Sequence, residues 1–385
     1  MFLLRVFSVA WAVAVCPISA LLLLTAVTGR GRMFAIGALL LGAAPALAWL
    51  RRSGSQGRWR TTAGLAAFVL WGLITFGLVV VSPNGAPRKD ARVQNRYSDG
   101  GWHYPRFALG ALLPEIDQLL LGFRLVPMAD SLFSMKQSRE ISGLTRSIYA
   151  ELEADDDFRA LGSVLPETYD EIWGRRFNHG HYFLYIPPRL DRKIPAPVLV
   201  FLHGSGGNFE AYTWLLSKVA DERGMVLIAP TFGMGNWDAQ HSGPVVMAAL
   251  EDAARVIPLD LSQVHLAGLS NGGLGVSYVA ASEAGRRFRS FIFLSPVCDD
   301  DALSSKEFTI QARDKPVLIV TGESDDRVPL PSVVSCAALM KSAGARVEMS
   351  AYPGADHFLV FSHRERFLKQ LSDWLGRQSV PHASP

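Results

Sequence analysis

Ser270 stands in Gly268-Leu269-Ser270-Asn271-Gly272, after the strand-like run 263–267 and before a small-residue stretch that reads as a helix to about residue 284. Glycines on both sides of a serine allow a sharp, strained turn that lifts its hydroxyl above the carboxyl end of a strand. A free serine hydroxyl is a poor nucleophile, so it needs a base, and the base needs an orienting acid. Both can be found downstream. The apolar run 316–321 leads into Gly322-Glu323-Ser324-Asp325-Asp326-Arg327-Val328-Pro329, and Arg346–Tyr352 leads into Pro353-Gly354-Ala355-Asp356-His357-Phe358. His357 would take the serine proton, and Asp325 would hold the imidazole tautomer. Upstream, Ala196–Leu202 ends in His203-Gly204-Ser205-Gly206-Gly207-Asn208, a glycine-rich loop suited to offering main-chain N–H groups to an oxyanion. The amides of Ser205 and Asn271 are the expected donors, whatever their side chains.

Each assignment has local competitors. Asp326 is one residue from Asp325, and Asp299 to Asp301 follow another strand candidate. His363 competes with His357 but lies where a last helix begins. Trp237 and Phe358 are candidate walls of a substrate pocket, with packing in a core as the alternative. His179 and His181 flank Gly180, yet no cysteine or carboxylate cluster accompanies them, so no metal site is expected. The chemistry calls for neither a metal nor an organic cofactor.

The four segments occur in the order oxyanion loop, serine, acid, histidine. Over residues 178–377 the chain resembles the α/β-hydrolase superfamily. The loop 202–208 and the Gly-x-x-Asp-x-x-Val-Pro pattern of 322–329 look most like dienelactone hydrolase, polyhydroxybutyrate depolymerase and prolyl oligopeptidase-like enzymes. That resemblance implies a mostly parallel sheet flanked by helices and acyl transfer through an acyl-serine; it leaves the substrate open, because the fold hosts many reactions.

The elements needed to position these residues are present as an alternation. Strands are expected at 196–202, 225–229, 263–267, 290–294, 316–321 and 346–352, and helices at 245–256, 331–343 and 362–375. Ahead of them lie three apolar runs, 2–27, 33–50 and 62–81, each near the roughly 20 residues that cross a bilayer. Their only internal charge is Arg5. Three transmembrane helices are expected over 1–82, a linker and helical extension over 83–177, and the catalytic domain over 178–385. Within the extension, 112–125 has amphipathic spacing with Pro114 in its first turn; its default role is packing on the catalytic part, with a membrane-lying helix or a partial lid over the site as alternatives.

Residues 1–82 carry seven arginines and no acid, so a whole-chain charge of +3 leaves −4 for the remainder. A mildly acidic catalytic part does not call for nucleic acid. The arginines are better suited to topology and anionic headgroups. Arg51, Arg52, Arg58 and Arg60 crowd the second loop, which places it in the cytoplasm and the catalytic part outside. Cys16 lies in the first apolar run, leaving Cys298 and Cys336 as the only possible pair in the rest of the chain; two small buried residues is their default reading.

The expectation is therefore a multi-pass, membrane-anchored serine hydrolase acting on a small-molecule or lipid ester. A peptidase or acyltransferase would use the same machinery, and a non-catalytic membrane sensor or scaffold is the alternative of a different class.

Overall fold

The computed structural model describes residues 2–49, 55–83, 85, 88, 90–101, 109–131, 133–172 and 180–378. His179, Arg51, Arg52 and Lys89 lie outside the described residues. The chain divides into two compact units, residues 1–84 with 105–146, and residues 85–104 with 147–385.

The first unit is helical. α1 (Phe2–Thr25), α2 (Gly29–Trp49) and α3 (Ser55–Val81) contain apolar stretches of 20, 19 and 20 residues, long enough to cross a membrane. Large side chains such as Leu65, Leu73 and Phe76 point outward, which suits a lipid solvent and would be costly in water. Thr28 starts α2 by accepting the Gly31 N–H on its hydroxyl, as an N-cap should. α4 (Glu115–Ala129) begins after Pro114, which caps it rather than sitting inside its first turn. Its Asp117 is fully buried and accepts from the Val27 N–H and the Thr28 hydroxyl. The amphipathic helix expected over 112–125 therefore belongs to the unit that holds α1 to α3, because its carboxylate is committed to the turn between α1 and α2.

The second unit is built on one eight-stranded sheet with the order β1-β2-β4-β3-β5-β6-β7-β8. The strands are β1 (Val93–Tyr97), β2 (His181–Tyr185), β3 (Ala196–Leu202), β4 (Val226–Pro230), β5 (Leu259–Leu269), β6 (Ser290–Leu294), β7 (Pro316–Gly322) and β8 (Arg346–Tyr352). β1 and β2 are antiparallel additions at one edge, and β4, β3, β5, β6, β7 and β8 run parallel. Parallel strands buried on both faces read as continuous apolar runs, which is why β3, β4, β6 and β7 were legible as strands; β8, at the edge, is half polar.

Alternate residues of β3 serve opposite faces. Val198, Val200 and Leu202 join a core with Val246 and Leu250 of α6 (Ser242–Val256), Val276 and Val279 of α7 (Gly272–Ala280), and Val333 of α8 (Leu330–Ser342). On the other side Phe201 meets Tyr212 of α5 (Glu210–Arg223), and Arg223 of α5 donates to Ser372 of α9 (Arg364–Gln378). β3 lies between β4 and β5, so the chain leaves it in one direction and later returns on its other side. Ligands of open α/β sheets bind beyond the carboxyl ends of the strands at such a switch point, and the loops after β3 and β5 are those that carry Ser205 and Ser270.

Candidate active site

Ser270 follows β5 directly and has φ 53°, one of three described non-glycine residues at positive φ. Such a conformation costs on the order of 1–3 kcal/mol and persists only where the surroundings enforce it. Here the enforcement is visible. The Ser270 N–H donates to Leu294 O at the end of β6, and its carbonyl accepts from Gly273 and Val297. The packing requires glycine at both flanks, since a Cβ on Gly268 would lie 2.3 Å from Gly272 O and one on Gly272 would lie 2.1 Å from Leu202 O.

The serine hydroxyl meets His357 Nε2 at 3.0 Å, and His357 Nδ1 meets Asp325 Oδ2 at 2.8 Å. The Asp325 side chain is fully buried, and its other oxygen accepts from the main-chain N–H groups of Arg327 and Val328. Those two bonds fix the carboxylate at the tip of the β7 loop. Competing residues are committed elsewhere or point away. Asp326 is exposed. Asp299 takes the Tyr278 hydroxyl and the Ala302 N–H, Asp356 accepts from Phe358 N, and His363 pairs with Ser362.

The loop after β3 is pressed against the elbow, with a Cβ on Gly204 falling 3.1 Å from that of Ser270. Gly206 and Gly207 take φ 99° and 115°, a conformation open to glycine that lets the chain turn sharply after Ser205. Among the described residues, neither the Ser205 nor the Asn271 N–H has a protein acceptor. Asn271 adjoins Ser270 in the chain and Ser205 follows Gly204, so both expected donors lie on the two segments that meet at the elbow.

The two candidate pocket residues part company. Phe358 is half-buried and edge-on to the His357 ring at 5.8 Å, at the rim of the site. Trp237 is 3 % exposed, stacked on Phe232, and its indole N–H donates to His203 O at 2.9 Å. Its size fills the core beside Gly275, and its contribution to the site is support of the oxyanion loop. His181, buried and held well below the ordinary histidine value, at about 3, by burial and by His203, is spent on Thr231 and Asn95.

One feature was left open by the sequence and a second escaped it. Cys298 and Cys336 are joined in a disulfide across a separation of 38 residues, tying the loop that follows β6 to α8; spacing alone carries no signal for such a pair. The segment 231–236 packs on the oxyanion loop, and only the closely spaced Gly233 and Gly235 hinted at a tight approach there.

Comparison with known proteins gives a consistent pattern. A family model, the prolyl oligopeptidase family, matches residues 300–380, the part holding Asp325 and His357. Dipeptidyl-peptidase 5 of Porphyromonas gingivalis is 21 % identical over 287 residues, which is 61 % of this chain and 41 % of that protein. Feruloyl esterase B of Thermothelomyces thermophilus is 32 % identical over 116 residues, 26 % of this chain and 38 % of its own. The chain spans well under two thirds of the length of these curated relatives. Thermogutta terrifontis esterase 2, in a structure phosphorylated by paraoxon, aligns with 51 % of this chain and 88 % of its own at 18 % identity and a TM-score of 0.42. The prolyl oligopeptidase match in the acid and histidine segment, the peptidase and esterase relatives and the mostly parallel sheet that carries all three side chains together support an α/β-hydrolase serine esterase or peptidase family for this chain.

Proposed function

We propose that this chain is a membrane-anchored serine hydrolase that cleaves carboxylic esters. The reading is carried by the continuous line Ser270 Oγ, His357 Nε2, His357 Nδ1, Asp325 Oδ2, each step at hydrogen-bond distance. His357 removes the hydroxyl proton as Ser270 Oγ bonds to the ester carbonyl carbon, and Asp325 stabilises the imidazolium that results. The oxyanion is held by the amides of Ser205 and Asn271. Collapse of the tetrahedral species expels the alcohol, which takes its proton from His357. Water then repeats the sequence on the acyl-serine, releasing the acid and restoring the hydroxyl. A sensor or scaffold without catalysis has no need of this line.

Esters are favoured as substrates by the feruloyl esterase likeness and by the apolar helices, which would keep the enzyme at a bilayer where lipid esters are concentrated. The second reading, a peptidase, draws on the prolyl oligopeptidase match and the dipeptidyl-peptidase relatives. Placement of the catalytic unit outside the cytoplasm is supported by the basic second loop and by the disulfide, since such bonds persist in oxidising compartments. The partners of this reading are a small-molecule or lipid ester and the bilayer itself, without nucleic acid.

The test is a panel of p-nitrophenyl and glyceryl esters of increasing acyl length beside dipeptidyl amides, assayed with the full chain in detergent micelles. Ester turnover without amide cleavage is expected. Amide cleavage at rates matching ester turnover would move the assignment to a peptidase.

A further inference from the structure

Two segments besides the elbow brace the oxyanion loop, and the second comes from outside the β3 to β8 core. The loop 231–236 is laid directly on residues 204–206: Gly206 N donates to Met234 O at 2.9 Å, and a Cβ on Gly235 would fall 2.3 Å from Gly204 O and 3.3 Å from Ser205 N. The main chain of 233–235 therefore forms the back of the loop that offers the Ser205 amide. The short helix Leu165–Ile172 in turn holds both loops. Its Thr168 is buried, donates to Gly233 O, and occupies the space that a side chain on Gly207 would need. Glu171, on the same helix, accepts from the Met234 N–H through one oxygen and from Asn236 Nδ2 through the other, at 2.8 Å. A Cβ on Gly233 would coincide with that carboxylate.

On the hydrolase reading above, we propose that Glu171 is a positioning residue for the oxyanion hole. Its two oxygens bind two donors of the 231–236 loop, that loop buttresses Gly204 to Gly206, and the direction of the Ser205 N–H follows. Hydrogen bonds from neutral donors to a carboxylate are among the stronger ones, and an oxyanion donor counts only when it is aimed before charge develops. Glu171 acts through the 231–236 loop rather than on the reacting atoms, so its loss is expected to weaken transition-state binding more than ground-state binding.

The test uses the full chain in detergent micelles, with Glu171→Ala, Glu171→Gln and wild type compared on one ester and one alkyl boronic acid, whose serine adduct carries a tetrahedral oxyanion. Glu171→Ala is expected to lower kcat by about tenfold to a hundredfold at nearly unchanged KM, and to weaken boronate binding by a similar factor. Glu171→Gln should recover most of both, because its amide oxygen still accepts from Met234 and Asn236 can turn its own amide to match the new donor. Wild-type kcat in Glu171→Ala overturns the proposal, as does a fall in kcat with boronate affinity intact. If Glu171→Ala does not fold, Glu171→Asp, which withdraws the carboxylate by one methylene, carries the same expectation at smaller size, and wild-type kcat in it is equally fatal. Wild type that turns over no ester and takes no boronate would overturn the hydrolase reading itself, and that outcome is distinct from both.

Discussion

A Cβ on Gly272 would lie 2.1 Å from the carbonyl oxygen of Leu202, so the first turn of α7 touches the end of β3 main chain to main chain. That contact sets the distance between the serine on one strand and the oxyanion loop on its neighbour. Gly272→Ala is expected to push the two apart and to cut kcat/KM by about a hundredfold, the usual effect of an ångström-scale misplacement, with a lower Tm. A folded Gly272→Ala enzyme with wild-type kcat/KM would show that the approach is dispensable.

The acid can be assigned by exchange of one atom. Asp325→Asn keeps the shape but lets the amide donate to His357 Nδ1, which favours the wrong imidazole tautomer; a loss of about 10⁴ in kcat is expected. Asp326 is exposed, and Asp326→Asn should stay within a few-fold of wild type by the same reasoning. Steady-state kinetics of the two variants decide it, and the reverse pattern would move the acid by one residue.

Much of this was legible before the structure. β3 and β6 begin and end where the apolar runs do, because buried parallel strands are apolar throughout, and the three reacting side chains sit on loops that glycine and proline punctuate. β1 was illegible: Val-Gln-Asn-Arg-Tyr has no apolar run, since Asn95 is spent on Leu161 O and His181, and Arg96 on Asp252. Trp237 was left between pocket and core because an aromatic near a catalytic loop reads alike in either place, and its burial is decided by packing on Phe232. Glu171 left no signal at all, as its partners, the Met234 main-chain N–H and the Asn236 side-chain amide, lie 63 and 65 residues away.

Burial and the nearby Asp170 carboxylate push Glu167 up to about 8 from its ordinary 4.5. The unfolded chain releases this proton from about pH 4.5 and the native chain only near 8, so between them the native state binds more protons and stability falls as pH rises. The contribution is fully present below 4.5 and lost as pH passes through 8. Glu167→Gln cannot ionise. Its Tm, followed by scanning fluorimetry from acid to alkaline pH, should exceed that of wild type by a margin that grows up to about pH 8; parallel curves would contradict the shift.

Placement can be read from the cysteines. The chain has three, of which Cys16 is free and Cys298 is joined to Cys336. Protein taken from membranes, denatured under a maleimide-polyethylene glycol without reductant, should gain one adduct, and three after reduction. A C-terminal alkaline phosphatase fusion should be active and a C-terminal green fluorescent protein fusion dark. Three adducts without reduction, together with a fluorescent fusion, would place the catalytic unit in the cytoplasm.

The central claim is that Ser270 is the nucleophile, activated by the His357 contact at 3.0 Å. The most direct measurement is site-resolved labelling by a fluorophosphonate, read by peptide mass spectrometry alongside ester turnover in wild type and Ser270→Ala. A single adduct on Ser270 in wild type, with neither adduct nor turnover in a folded Ser270→Ala protein, is the predicted result. An adduct on another serine, or turnover that survives the substitution, would contradict it.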